Sequence, residues 1–113
     1  MKVPRPTDAD KNRFRSLVPE GPGVEVKPMF GNLAAFVNGN MFAGLFGSAI
    51  GVKLAEADHA ELARRGGGPY GPEERPMGGY LTLPAGLSAE EAAGWVERAR
   101  AHAATLPPKP AKK

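Results

Sequence analysis

The chain has no cysteine, which excludes disulfides and thiolate zinc sites. It has no run near the ~20 apolar residues that a membrane-spanning helix needs. Met1-Lys2-Val3-Pro4-Arg5-Pro6 has no apolar core behind it and does not read as a signal peptide. These absences predict a soluble, cytoplasmic protein with no membrane association. Histidine is scarce too: His59 and His102 are the only two, and they lie far apart in sequence. A metal would need more ligands than the surroundings of His59 supply, so both histidines are read as surface residues.

Positive charge is missing where a nucleic-acid domain would concentrate it. The chain carries a formal +3, yet residues 16–106 hold seven basic and ten acidic side chains. The excess sits at the ends, on Lys2, Arg5, Lys11, Arg13 and Arg15 and on Lys109, Lys112 and Lys113. Nucleic-acid domains usually gather such charge on a folded face. Basic ends predict only weak, salt-sensitive contact with a polyanion.

What is present is enough for one domain with a single modest core. Its centre is Glu25 to Leu54, which reads as a meander of short strands: Leu33 to Val37, Met41 to Phe46 and Ala49 to Leu54. Asn38-Gly39 between the first two is a strong hairpin signal, because both residues tolerate positive φ. Gly47-Ser48 is a second tight turn. A short helix precedes the meander, with Thr7 as N-cap, Phe14, Leu17 and Val18 as its apolar side, and Pro19 as its end.

A second helix is predicted over Ala55 to Arg65, stopped by Gly66-Gly67-Gly68-Pro69. The segment from there to Gly79 reads as a long loop. Tyr80 to Leu83 is a fourth strand, ended by Pro84. Ser88-Ala89-Glu90-Glu91 is a capping box, and the helix behind it sets Ala92, Trp95, Val96, Ala99, Ala103 and Leu106 on one side. The expected fold class is therefore α+β, an antiparallel β-meander sheet with helices packed on it, in the order α-β-β-β-α-β-α. Domain bounds follow: a flexible N-terminus over 1–6, a folded body over 7–106, and a disordered Pro/Lys tail over 107–113.

No motif in this chain points to catalysis. Gly39, Gly44, Gly47 and Gly51 do not form a phosphate loop, which needs Gly-Lys-Ser/Thr opening a helix; they read as turn and close-packed strand glycines. Ser48 lies in a turn, Ser88 is a helix cap, and neither they nor Ser16 sits in Gly-x-Ser-x-Gly. The pairs Glu73-Glu74 and Glu90-Glu91 are adjacent rather than opposed. The expectation is a non-enzyme with no cofactor and no metal.

Among Met29, Phe30, Phe36, Met41, Phe42 and Phe46, strand alternation turns some outward, with 41, 43 and 45 facing opposite to 42, 44 and 46. An edge strand of the meander offers a place for a partner or a second copy to pair. Basic and aromatic residues interleave in one part of the body. There Arg64, Arg65 and Arg75 bracket the glycine-rich loop that holds Tyr70, while Lys27 and Lys53 flank the meander. These six residues form the candidate partner surface.

Lys27-Pro28-Met29-Phe30-Gly31, followed by Phe36-Val37-Asn38-Gly39-Asn40-Met41-Phe42-Ala43, resembles the N-terminal domain of the TfoX/Sxy family of bacterial competence regulators. The third strand ending Val52-Lys53-Leu54 is similar as well. So are Pro76-Met77, then Tyr80, then Leu83-Pro84 before the last helix. The resemblance covers roughly residues 8 to 105. It implies an α+β, non-catalytic regulatory domain. Full-length members promote expression of DNA-uptake genes, acting with the cyclic-AMP receptor protein, and carry a second, helical domain; this chain reads as a single-domain member without it.

The leading functional expectation is thus a protein-interaction domain tied to transcription or competence regulation, its partner a transcription regulator. The alternatives are a nucleic-acid-binding accessory protein using its basic ends, and a small-ligand binder with a pocket under the glycine-rich loop.

Overall fold

The computed structural model describes residues 5–29, 32–71, 79–84 and 86–107. Among the described residues, nine elements run in the order α1 (Asp8–Leu17), β1 (Val24–Met29), β2 (Asn32–Val37), β3 (Asn40–Phe46), β4 (Ala49–Lys53), α2 (Glu56–Arg64), β5 (Gly68–Pro69), β6 (Tyr80–Thr82) and α3 (Ala89–Ala104). The six strands form one antiparallel sheet in the order β1-β2-β3-β4-β6-β5. The fold is α+β, with helices over an antiparallel meander, as the sequence predicts.

Two strands go beyond that prediction. β1 precedes the meander, and its Pro28 and charged Glu25 and Lys27 weaken its strand signal. It is an outer strand, the place where a proline within a sheet is tolerated. β5 has only two residues and lies inside the segment read as a loop, paired with Leu81 and Thr82 of β6.

Local chemistry explains the helix starts. Thr7 caps α1: its hydroxyl accepts from Asp10 N–H at 3.1 Å, and the Asp10 carboxylate accepts from Thr7 N–H at 2.9 Å. Ser88 and Glu91 repeat the arrangement at α3, at 3.1 and 3.2 Å. α3 buries Ala92, Trp95, Val96, Ala99 and Ala103, one stripe at helical spacing, and lies across β2, β3 and β4. α1 adds Phe14 and Leu17 beside β2 and α3. α2 adds Leu62 against β6, and Arg98 of α3 reaches Asp58 and Glu61 of α2 at 3.4 Å each. The Arg98 guanidinium also lies 4.5 Å from the Trp95 ring centre.

The β2–β3 hairpin turns through Asn38 (φ 51°) and Gly39 (φ 83°), the two positive φ values of a type I′ turn. Within that hairpin Ala35 pairs with Ala43, but Phe36 pairs with Met41. Phe42 is therefore an extra residue, a β-bulge. The bulge corrects the simple alternation expected for β3. Phe42 and Ala43 are both fully buried in the one core, with Leu45, while Met41, Gly44 and Phe46 fall to the opposite face.

Replacing Phe42 by Ala should remove about 3–5 kcal/mol of stability, the usual cost of emptying a fully buried aromatic site. That is a large part of the ~5–15 kcal/mol available to a small domain, and urea denaturation followed by circular dichroism checks it.

Candidate functional site

The helices cover one face of the sheet. Cross-strand pairing assigns the other face to Glu25 and Lys27 of β1, Ala34 and Phe36 of β2, and Met41, Gly44 and Phe46 of β3. From β4 it receives Ala49, Gly51 and Lys53, and from β6 Tyr80 and Thr82. Phe36, Met41, Phe46 and Tyr80 are half-buried there.

The centre of this face has no side chain of its own. Gly44 and Gly51 sit directly opposite each other on β3 and β4. The Tyr70 ring fills the space above them: a Cβ on Gly51 would collide with that ring, and one on Gly44 would lie 2.5 Å from Tyr70 Oη. A strand glycine often marks such a close approach. Tyr70 meets Phe46 edge-on, with ring centres 6.2 Å apart, and lies 5.9 Å from Tyr80 at a tilt of 31°. Such pairs add about 0.5–1.5 kcal/mol beyond the area they bury. Tyr80 Oη donates to the Met41 carbonyl at 3.2 Å. Burial pushes the Tyr70 phenol well above its ordinary range, and the neighbouring Tyr80 adds to this. Burial also pushes Tyr80 up to about 12.

The six residues of the predicted partner surface are divided by the fold. Lys27 and Lys53 share the open face. Lys27 Nζ lies 5.4 Å from the Phe36 ring centre and 3.5 Å from the Glu25 carboxylate, and Lys53 sits opposite Tyr80. Arg64 and Arg65 end α2 in the helix layer, where Arg65 is paired with Glu61 at 3.1 Å. Tyr70 is only 3% exposed, so it is packed onto Gly44 and Gly51 within this face rather than presented on a loop. Arg75 lies outside the described residues, as do Pro76, Met77 and half of the predicted glycine-rich loop. The arrangement thus joins Lys27, Lys53 and Tyr70 to Phe36, Met41, Phe46 and Tyr80, and leaves Arg64 and Arg65 on the other side of the sheet.

Among the described residues, no three His, Asp or Glu side chains gather in a group that could hold a metal, and no helix is long and apolar enough to cross a membrane. The family model of the TfoX N-terminal domain matches residues 16–103. The chain belongs to the TfoX N-terminal domain family. The match takes in α3 up to its last turn and the whole sheet, so both faces described above belong to the TfoX domain itself. No curated protein and no solved structure matches the chain.

Two outcomes follow for this face of the TfoX domain. Gly51→Ala should evict the Tyr70 ring and cost about 1–3 kcal/mol, as overpacking does. In a Tyr70→Ala background the same change should cost far less, because the space is then empty. Equal costs in the two backgrounds, read by urea denaturation, would show that the ring does not lie over Gly51. The second outcome concerns alkaline pH. The folded chain holds its phenolic protons above pH ~10, where an unfolded tyrosine loses them, so this stabilisation is complete below pH ~10 and lost as pH rises further. Melting temperatures from pH 8 to 11.5 should fall at the alkaline end, and less so for Tyr70→Phe.

Proposed function

We propose that this chain is a non-catalytic regulatory domain that binds a protein partner, a transcription regulator, through the open face of its sheet. The observation that carries this reading is the one-sided helix cover. It leaves Phe36, Met41, Phe46 and Tyr80 half-buried and contiguous around the Tyr70 ring, with Lys27 and Lys53 beside them. Half-buried aromatics and methionine ringed by polar groups are the usual make-up of a protein-binding patch. Membership of the TfoX N-terminal domain family supports a role in regulation, and competence is the process we assign to it.

The test is capture of partners from nuclease-treated native extract, followed by titration of the purified partner at low and high salt. Wild type should retain a stoichiometric transcription regulator whose affinity changes little with salt. Phe36→Ser should weaken that binding by about tenfold or more while leaving the melting transition cooperative. Recovery of nucleic acid alone, lost on nuclease treatment, would overturn the reading in favour of polyanion binding.

A further inference from the structure

β1 is an outer strand, and its outward backbone groups are unequal. Asn38 N–H donates to the Gly23 carbonyl at 3.0 Å, which makes Gly23 and Asn38 a hydrogen-bonded pair. By the alternation of an antiparallel ladder, the polar groups of Glu25 and Lys27 then turn toward β2, and those of Val24, Val26 and Pro28 turn away from it. Val24 N–H is already used, donating to the Gly21 carbonyl at 3.2 Å. Pro28 has no N–H to offer. The outer side of β1 therefore presents one donor, Val26 N–H, and three acceptors, the carbonyls of Val24, Val26 and Pro28.

A groove of about 420 Å³ lies against this edge, lined by Val18, Pro19, Val24 and Val26 together with Arg15 and Glu20. Val24 and Val26 point to the helix side of the sheet, since they pair with the core residues Val37 and Ala35. The groove is thus placed to receive alternate side chains of anything that pairs with β1.

We propose that the β1 edge is a docking site for an extended peptide of another protein, which adds to the sheet as an antiparallel strand and sets apolar side chains in this groove. Backbone pairing of this kind supplies affinity, and the alternate pockets supply selectivity. The peptide residues opposite Val24, Val26 and Pro28 donate three N–H groups to the outward carbonyls, accept the Val26 N–H, and face the groove. The two residues between them fall on the open face, beside the exposed carboxylate of Glu25 and ammonium of Lys27. Read from its N-terminus, the peptide is apolar, acidic, apolar, basic, apolar. This surface is distinct from the aromatic patch on the open face and shares with it only the Lys27 side chain at the patch's margin.

A second copy of this chain is a poor occupant, for a reason that lies in the backbone. The side chains of β1 would match an antiparallel copy centred on Val26, with Glu25 opposite Lys27. However, Pro28 of the copy cannot donate to the Val24 carbonyl, and Val24 N–H of the copy is turned to its own Gly21. Only the two Val26-to-Val26 bonds would form, against four with a foreign strand. The proline that guards the edge against self-association leaves its acceptors open to another chain's N–H groups.

The test uses the peptide acetyl-Ser-Val-Glu-Val-Lys-Val-Ser-amide, titrated into the isotopically labelled full chain and followed by amide chemical shifts. Saturable shifts confined to Val24–Met29 and to the groove around Val18 are expected. Methylating the backbone nitrogen of the central valine should weaken binding by about tenfold, since a charge-free hydrogen bond is lost and one acceptor left bare. Exchanging the peptide's Glu and Lys should weaken it less, and only at low salt. The absence of saturation at millimolar peptide would overturn the proposal. So would equal binding of the methylated peptide, or shifts centred on Phe36 and Phe46. Sedimentation of the chain alone should show no self-association through β1, and a β1-to-β1 dimer would refute the argument from Pro28.

Discussion

The bulge at Phe42 sets the phase of the whole sheet. One extra residue in β3 lets Phe42 and Ala43 enter the core together, with both fully buried. It also decides what comes next. With the phase shifted, Leu45 faces the helices and Gly44 faces away, so that Gly44 meets Gly51 across the strand and opens the slot that Tyr70 fills. Without the bulge, strict alternation would carry Gly44 into the core and Leu45 out of it, which exchanges a packed aliphatic for a void. A local irregularity of one residue thus links the core on one face to the aromatic cluster on the other.

The two faces are stabilised differently, and this bears on function. The helix side holds one continuous core drawn from all three helices and from β2, β3, β4 and β6. The open side depends on one ring from a connecting segment, wedged between Phe46 and Tyr80. Half-buried aromatics with basic residues at the margin are the make-up on which the proposed partner-binding role of this face rests. The outermost strand carries the second proposed surface, of a different kind, where backbone groups rather than side chains would decide the partner. The two proposed surfaces differ in kind and share only the Lys27 side chain.

Much of this architecture was legible from local chemistry. Asn38-Gly39 specified its turn through φ tolerance, Ser88 and Glu91 specified the start of α3, and the spacing from Ala92 to Ala103 specified its buried stripe. What escaped has long-range or backbone causes. β1 is partly masked by Pro28, whose tolerance depends on the strand being outermost, a tertiary fact. The bulge has no side-chain signature of its own, because Phe42 would be apolar on either phase. Tyr70 sits among glycines and prolines that read as loop, and its burial depends on Gly44 and Gly51 some twenty residues earlier. Those two mid-strand glycines were the available signal, since a strand gives up side-chain packing only where something else approaches. The grouping of the six candidate residues followed sequence proximity: Lys27 and Lys53 lie on one face of the sheet with Tyr70, whereas Arg64 and Arg65, close to Tyr70 in the chain, end α2 on the other face.

The division of residues between the two faces rests on the phase of the sheet, and amide hydrogen exchange along β1 reads that phase. Glu25 and Lys27 N–H groups point to β2 and should be protected, while Val26 N–H, between them on the outer side, should exchange at a rate close to that of an unpaired amide. If Val26 proved as slow to exchange as its two neighbours, the edge would be covered or the ladder would run in the other phase, and the assignment of residues to the two faces would have to be abandoned.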